Sequence, residues 1–128
     1  MNYRNTWQKT KIYETIESAG HISVDELIMS LDNSMISTST IYRNLKILQE
    51  ENRIKPIHCE SRTLFETIKG NHYHFECLSC HKVYDIDTDL VSIKINHSIL
   101  SDVFKKEVFL YGTCSHCKEK GENKEQWN

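Results

Sequence analysis

The stretch HYHFECLSCHKVYD, residues 72–85, decides how the second half of this chain folds. Two histidines and two cysteines stand within nine residues, from His72 to Cys80. In an extended strand side chains alternate faces, so His72, His74 and Glu76 share one side while Tyr73, Phe75 and Cys77 share the other. The histidines therefore point away from the first cysteine, and the stretch supplies ligands to two sites rather than one. The complement of CLSC lies after 33 intervening residues, in CSHC at Cys114 and Cys117. Two CxxC pairs are the usual supply of four thiolates for a tetrahedral zinc ion. Cys77, Cys80, Cys114 and Cys117 are thus expected to hold structural zinc that closes a small β-rich domain and contributes to its folding outright.

The totals fit that reading. A chain of 128 residues fits one domain of ordinary size or two small ones, and small ones bury little core each. Five cysteines without a secretory signal argue against a disulfide framework. The opening MNYRNTWQKTK has no apolar core, and no apolar run approaches the roughly 20 residues of a spanning helix. A soluble, cytoplasmic protein is expected, with no membrane partner. A formal charge of -2 means that any nucleic-acid affinity must come from a local basic patch.

Upstream of the central stretch, residues 1–69 read as three helices and a hairpin. Thr6 can cap a helix that carries Ile12 and Ile16 on one face and stops near Gly20. Ser23 and Glu26 have capping-box spacing ahead of Leu27, Ile28 and Leu31. In STSTIYRNLKILQEE, residues 37–51, Ile41, Leu45 and Leu48 form an apolar stripe that packs inward, leaving Tyr42, Arg43 and Lys46 outside. RIKPIHCESRTLFETI, residues 53–68, reads as two short strands around a polar turn, with Pro56 confining the first to an edge. This is the order of a winged helix-turn-helix. Residues 70–128 read as strand, knuckle, strand, a helix over about 88–100, the strand EVFLY and a second knuckle, with a polar tail from about 118 expected to be disordered. The fold class is α+β: a winged helix followed by a small α/β domain carrying the four-cysteine zinc site.

The residues alone leave the second site open. His72 and His74 need further ligands, and His21, Glu66, Asp85, Asp87, His58 and His97 all have suitable chemistry. An imidazole and carboxylate set suits iron, manganese or zinc better than it suits a metal preferring thiolates.

Over most of its length, from Arg4 to Cys117, the chain resembles the ferric uptake regulator family of bacterial metal-dependent repressors. RNTWQK is similar to that family's opening motif, GHISVDEL to its second helix, STSTIYRNL to its recognition helix, HYHFECLSCHKVYD to its central motif and LYGTCSHC to its end. The resemblance implies a DNA-binding winged helix over 1–69, joined by a hinge to a dimerisation domain over 70–128. It implies structural zinc at the four cysteines. It also implies a regulatory metal at His21, Glu66, His72, His74 and Asp85, so that metal binding bridges the hinge. Fe2+ or Mn2+ is the expected regulatory ion, with Zn2+ a weaker fit because Thr67 stands where the zinc-sensing branch has a cysteine. NHYH together with Asp85 is similar to the peroxide-sensing branch. Glu66 with Asp85 is a mixed set that leaves iron and peroxide response unseparated. Asn71 and Lys106 stand where iron-responsive members carry histidines of a third site, which is expected to be missing.

Placement on the third helix of a winged motif makes Tyr42 and Arg43 candidates for base contact, since arginine bonds guanine edges and an aromatic ring meets a thymine methyl. Lys46 and Arg62 would hold phosphates. With Ser37 and Ser39 at the helix start, these six form the expected DNA-contacting set. No acidic residue lies between Asp32 and Glu50, which supplies the local basic patch. The expected function is a metal-responsive repressor, acting as a homodimer on a double-stranded, pseudo-palindromic operator. A zinc-ribbon adaptor between proteins is the rival; it would need the cysteines but neither the histidines nor Tyr42 and Arg43. Without HExxH or another catalytic motif, no enzyme is expected. Cys59, His97 and His116 are read as inert or surface residues.

Overall fold

The structure, a computed structural model, describes residues 6–96 and 98–120. The chain divides into two compact units, Met1–Lys69 and Gly70–Asn128.

In the first unit, helix α1 (Thr6–Ala19) buries Ile12 and Ile16, one turn apart, completely. It ends where Gly20 takes φ +81° and donates its N–H to the Ile16 carbonyl at 3.0 Å. A side chain at that φ would be strained, so glycine fits the stop. Strand β1 (Ile22–Ser23) leads directly into α2 (Val24–Ser30). The expected capping box is present: the Glu26 amide donates to Ser23 Oγ at 3.1 Å, and the Ser23 amide donates to Glu26 Oε1 at 3.0 Å. Helix α3 (Thr38–Glu50) is capped by Ser37 and buries Ile41, Leu45 and Leu48. Strands β2 (Ile54–His58) and β3 (Thr63–Thr67) form the hairpin, and the sheet order β1-β3-β2 leaves Pro56 on an edge strand. The core runs through Ile12, Ile16, Leu27, Leu31, Ile41, Leu45, Leu48 and Ile54, with Phe65 of β3 closing it.

The second unit is a three-stranded sheet in the order β5-β4-β6, from β4 (Tyr73–Cys77), β5 (Val83–Ile86) and β6 (Phe109–Gly112). Strand β5 runs antiparallel to β4 through a tight knuckle, whereas β6 returns parallel to it. A short helix α4 (Ser115–Glu119) follows, with Cys114 as its N-cap. Its hydrophobic cluster consists of Cys77, Cys114 and Cys117, with Phe75 packed against them.

Two expectations are corrected. The helix expected over residues 88–100 reduces to a single 3-10 turn at Thr88–Leu90, capped by Asp87, with residues 91–96 irregular. Leu90 is 78% exposed and Ile99 79%, so no buried apolar stripe stabilises a helix among the described residues of this segment. The tail does not begin at 118, because Lys118 and Glu119 belong to α4. The rest of the expected tail, including Trp127, lies outside the described residues, as do His97 and the capping side chain of Thr6.

Candidate metal centres and the exposed helix face

The four cysteines of the two knuckles converge. Their Sγ atoms all lie within 4.8 Å of one another, with Cys77 to Cys117 at 3.6 Å and Cys80 to Cys114 at 3.9 Å. Backbone amides aim at the sulfurs: those of Cys80 and Cys114 donate to Cys77 Sγ at 3.5 and 3.4 Å, and that of Cys117 to Cys114 Sγ at 3.5 Å. Burial opposes ionisation of Cys77, but the amides of Cys114, Cys80 and Ser79 outweigh it and bring the thiol down to about 6. The Cys117 amide, working against burial, lowers Cys114 as well. Cys117 is pushed up to about 12 by burial and by the neighbouring thiols. Four thiols crowded together cannot all ionise unaided, and a dication bound among them removes that conflict. The cluster fits a structural zinc.

The remaining sequence-predicted ligands form one pair in the first unit and one trio in the second. In the first, the β1–β3 register sets Ile22 opposite Phe65, which brings the preceding residue His21 beside Glu66. His21 Nε2 stands 3.2 Å from Glu66 Oε1. The Glu66 side chain is fully buried, so its carboxylate needs partners. On its other flank β2 sets Lys55 directly opposite, with Nζ 3.5 Å from Oε2. Sequence reading missed Lys55, although counting back from the turn after His58 pairs position 55 with 66.

In the second unit β5 sets Asp85 directly opposite His74. One carboxylate oxygen, Asp85 Oδ1, lies 3.3 Å from His72 Nε2 and 3.8 Å from His74 Nε2. The two imidazoles meet edge to face at 4.7 Å, and Phe109 of β6 stacks on His74 at 5.6 Å. Two imidazoles and a carboxylate gathered this closely suit a borderline divalent ion. Of the alternatives the residues left open, His58 sits at the hairpin beside Thr63 Oγ1 at 3.4 Å, and Asp87 accepts the Asp89 amide at 3.3 Å as a cap. The partly buried Cys59 also lies in that hairpin, and His116 is exposed on α4. Glu76, on the histidine face of β4, is completely buried with His81 Nδ1 3.9 Å away.

Helix α3 turns Tyr42, Arg43 and Lys46 outward, with Tyr42 54% exposed. Ser37 Oγ is engaged by the Thr40 amide at 3.2 Å as the helix cap and stands 3.2 Å from the exposed Ser39 hydroxyl. Arg62, in the hairpin turn, approaches Glu26 Oε1 at 3.5 Å. None of the described helices is long and apolar enough to cross a membrane.

Residues 1–108 match the ferric uptake regulator family. Among curated proteins, the chain is 32% identical over 112 residues to the peroxide-responsive repressor PerR of Staphylococcus epidermidis, covering 83% of this chain and 75% of that one. It is 30% identical over 111 residues to PerR of Staphylococcus aureus, at 82% and 75% coverage. In fold it is similar to the iron-containing ferric uptake regulator of Francisella tularensis, with a TM-score of 0.74 at 18% identity over 92% of this chain and 96% of that one. The peroxide stress regulator of Campylobacter jejuni gives 0.68 at 21% identity, over 89% and 91%. The chain therefore belongs to the ferric uptake regulator family of metal-responsive transcription regulators.

Proposed function

We propose that this protein is a repressor that binds a pseudo-palindromic operator as a homodimer when a divalent metal, iron or manganese, is held by His21, Glu66, His72, His74 and Asp85. The observation that carries the reading is the trio His72, His74 and Asp85 converging on one carboxylate oxygen, which a zinc-ribbon adaptor would not need. The family resemblance adds His21 and Glu66, which pair with one another within the first unit. A metal that binds one arrangement of the two units more tightly shifts the population toward it, by no more than that difference in affinity.

The chain's own residues divide the work. His72 and His74 present neutral nitrogen donors, Glu66 and Asp85 offset the charge of the ion, and the four cysteines keep the second unit folded throughout. Phe109 covers one face of His74 and restricts its rotation. Bound ferrous iron would supply the one-electron reduction of peroxide that leads to oxidation of its own histidine ligands. Arg43 and Tyr42 would read base edges while Lys46 and Arg62 hold phosphates. Dimer formation is supported by the open apolar side chains of residues 90–110, among them Phe104 at 94% exposure, which a second copy would cover.

The test is an anaerobic gel shift on promoter DNA under titrated Fe2+, Mn2+ and Zn2+, with wild type and His74→Ala side by side. His74→Ala should keep its zinc and its dimer yet lose the metal dependence of DNA binding. Metal-responsive binding preserved in that variant rejects the switch, and no DNA binding by the metal-loaded wild type returns the chain to the adaptor reading. Oxygen added to His21 or His74 after peroxide treatment of the iron-loaded protein, seen by mass spectrometry, would place it in the peroxide-sensing branch.

A further inference from the structure

We infer that Lys55 is a positioning residue of the regulatory metal site, holding one oxygen of Glu66 and weakening the site for divalent cations; this rests on the reading of Glu66 as a ligand. The two oxygens of the buried Glu66 carboxylate are divided: Oε1 faces His21 at 3.2 Å and Oε2 faces the Lys55 ammonium at 3.5 Å. Lys55 stands directly opposite Glu66 in the β2–β3 register, so its place is fixed by backbone pairing rather than by a flexible loop. Its side chain is 41% exposed against none for Glu66. The ammonium thus reaches in from solvent over one edge of the carboxylate.

Two consequences follow for a metal. With Oε2 engaged, Glu66 offers a single oxygen, the one already beside the His21 imidazole. A fixed positive charge next to that ligand also repels an incoming dication, and partial burial makes the repulsion larger than it would be in water. Such a residue raises the metal concentration at which the site fills. It also keeps the buried carboxylate paired when no metal is bound, avoiding the cost of an isolated buried charge.

Charge and hydrogen bonding are separable by substitution. In Lys55→Gln the amide still donates to Glu66 but the charge is gone; Lys55→Arg retains both. With zinc-loaded full-length protein, calorimetric titration of Mn2+ should show Lys55→Gln binding about ten-fold more tightly than wild type, a change of about 1.4 kcal/mol. Lys55→Arg should stay near wild type. Melting of the zinc-loaded protein without added Mn2+ should show Lys55→Gln less stable than wild type, with the deficit closing once Mn2+ is added. Should Lys55→Gln not fold, Lys55→Thr, whose side chain suits a strand, makes the same comparison. Unchanged or weaker Mn2+ binding by the uncharged variants overturns the inference and leaves Lys55 as a stabilising ion pair. Glu66→Gln separates the two layers. If Glu66→Gln loses Mn2+ binding while Lys55→Gln matches wild type, only the role of Lys55 fails. If Glu66→Gln binds Mn2+ as wild type does, the ligand assignment fails and this inference with it.

Discussion

Cys80→Ser should unfold the second unit and spare the first. Cys80 is the exposed member of the cluster, so exchanging its sulfur for oxygen removes little packing and the effect reports the metal. The first unit buries eleven hydrophobic residues in one cluster, and each large aliphatic among them contributes about 1.5–3 kcal/mol. The second unit has a buried cluster of only three cysteines, with Tyr73 the other buried apolar side chain among its described residues. Structural zinc contributes about 10–16 kcal/mol at neutral pH, as much as the whole stability of an ordinary domain at about 5–15 kcal/mol. Losing one thiolate should therefore leave no folded second unit. Hydrogen exchange followed by mass spectrometry reads each unit separately: amides of residues 73–77 and 83–86 should lose protection in Cys80→Ser while those of residues 41–48 keep theirs. Zinc content and dimer fraction should fall together. Retained protection of β4 in a zinc-free variant would refute the argument that metal, rather than apolar burial, holds that unit.

Arg43→Ala should weaken specific operator binding by about 1–3 kcal/mol if the guanidinium reads a base edge, and affinity for all sequences equally if it meets a phosphate; fluorescence anisotropy on operator and scrambled duplexes separates the two. Acid should weaken the α2 capping box. The Ser23 amide, opposed by partial burial and helped by the Ser23 hydroxyl and Arg62, holds the Glu26 carboxyl below its usual 4.5. A depressed folded pKa contributes stability above the unfolded value and loses it as pH falls through the folded one. Glu26→Ala should thus cost about 0.5 kcal/mol at neutral pH, at the low end for a cap because the carboxylate is half exposed and screened. The difference from wild type, measured by thermal denaturation, should vanish at low pH.

What the residues disclosed depended on how local the determining physics is. The Ser23 and Glu26 box, the Gly20 stop and the Ile41, Leu45 and Leu48 stripe each depend on neighbours within two turns, and each was legible. The separation of histidines from Cys77 followed from strand alternation. Choosing Glu66, His21 and Asp85 from a longer set of acids and histidines needed the resemblance, because those partners meet through strand registers that spacing does not disclose. Lys55, whose pairing with Glu66 the hairpin count does disclose, was missed because only the burial of Glu66 shows that its carboxylate needs a further partner. Residues 88–100 misled in the opposite direction: they read as a helix, yet Leu90 and Ile99 stand largely exposed and no described residue of the segment is buried.

The parallel return of β6 onto β4 has a consequence for biosynthesis. Every contact that defines the first unit is available once residue 69 has been made. The zinc ligands instead come from two distant knuckles, with Cys77 and Cys80 waiting through 33 residues for Cys114 and Cys117. Chains fold from the N-terminal end as they are made, and pairings that close long loops come late. A nascent chain therefore acquires its helix-turn-helix before it can close the zinc site, and for that interval Cys77 and Cys80 wait without their partner thiols. Zinc scarcity during translation would accumulate molecules with an intact first unit and an unformed second one.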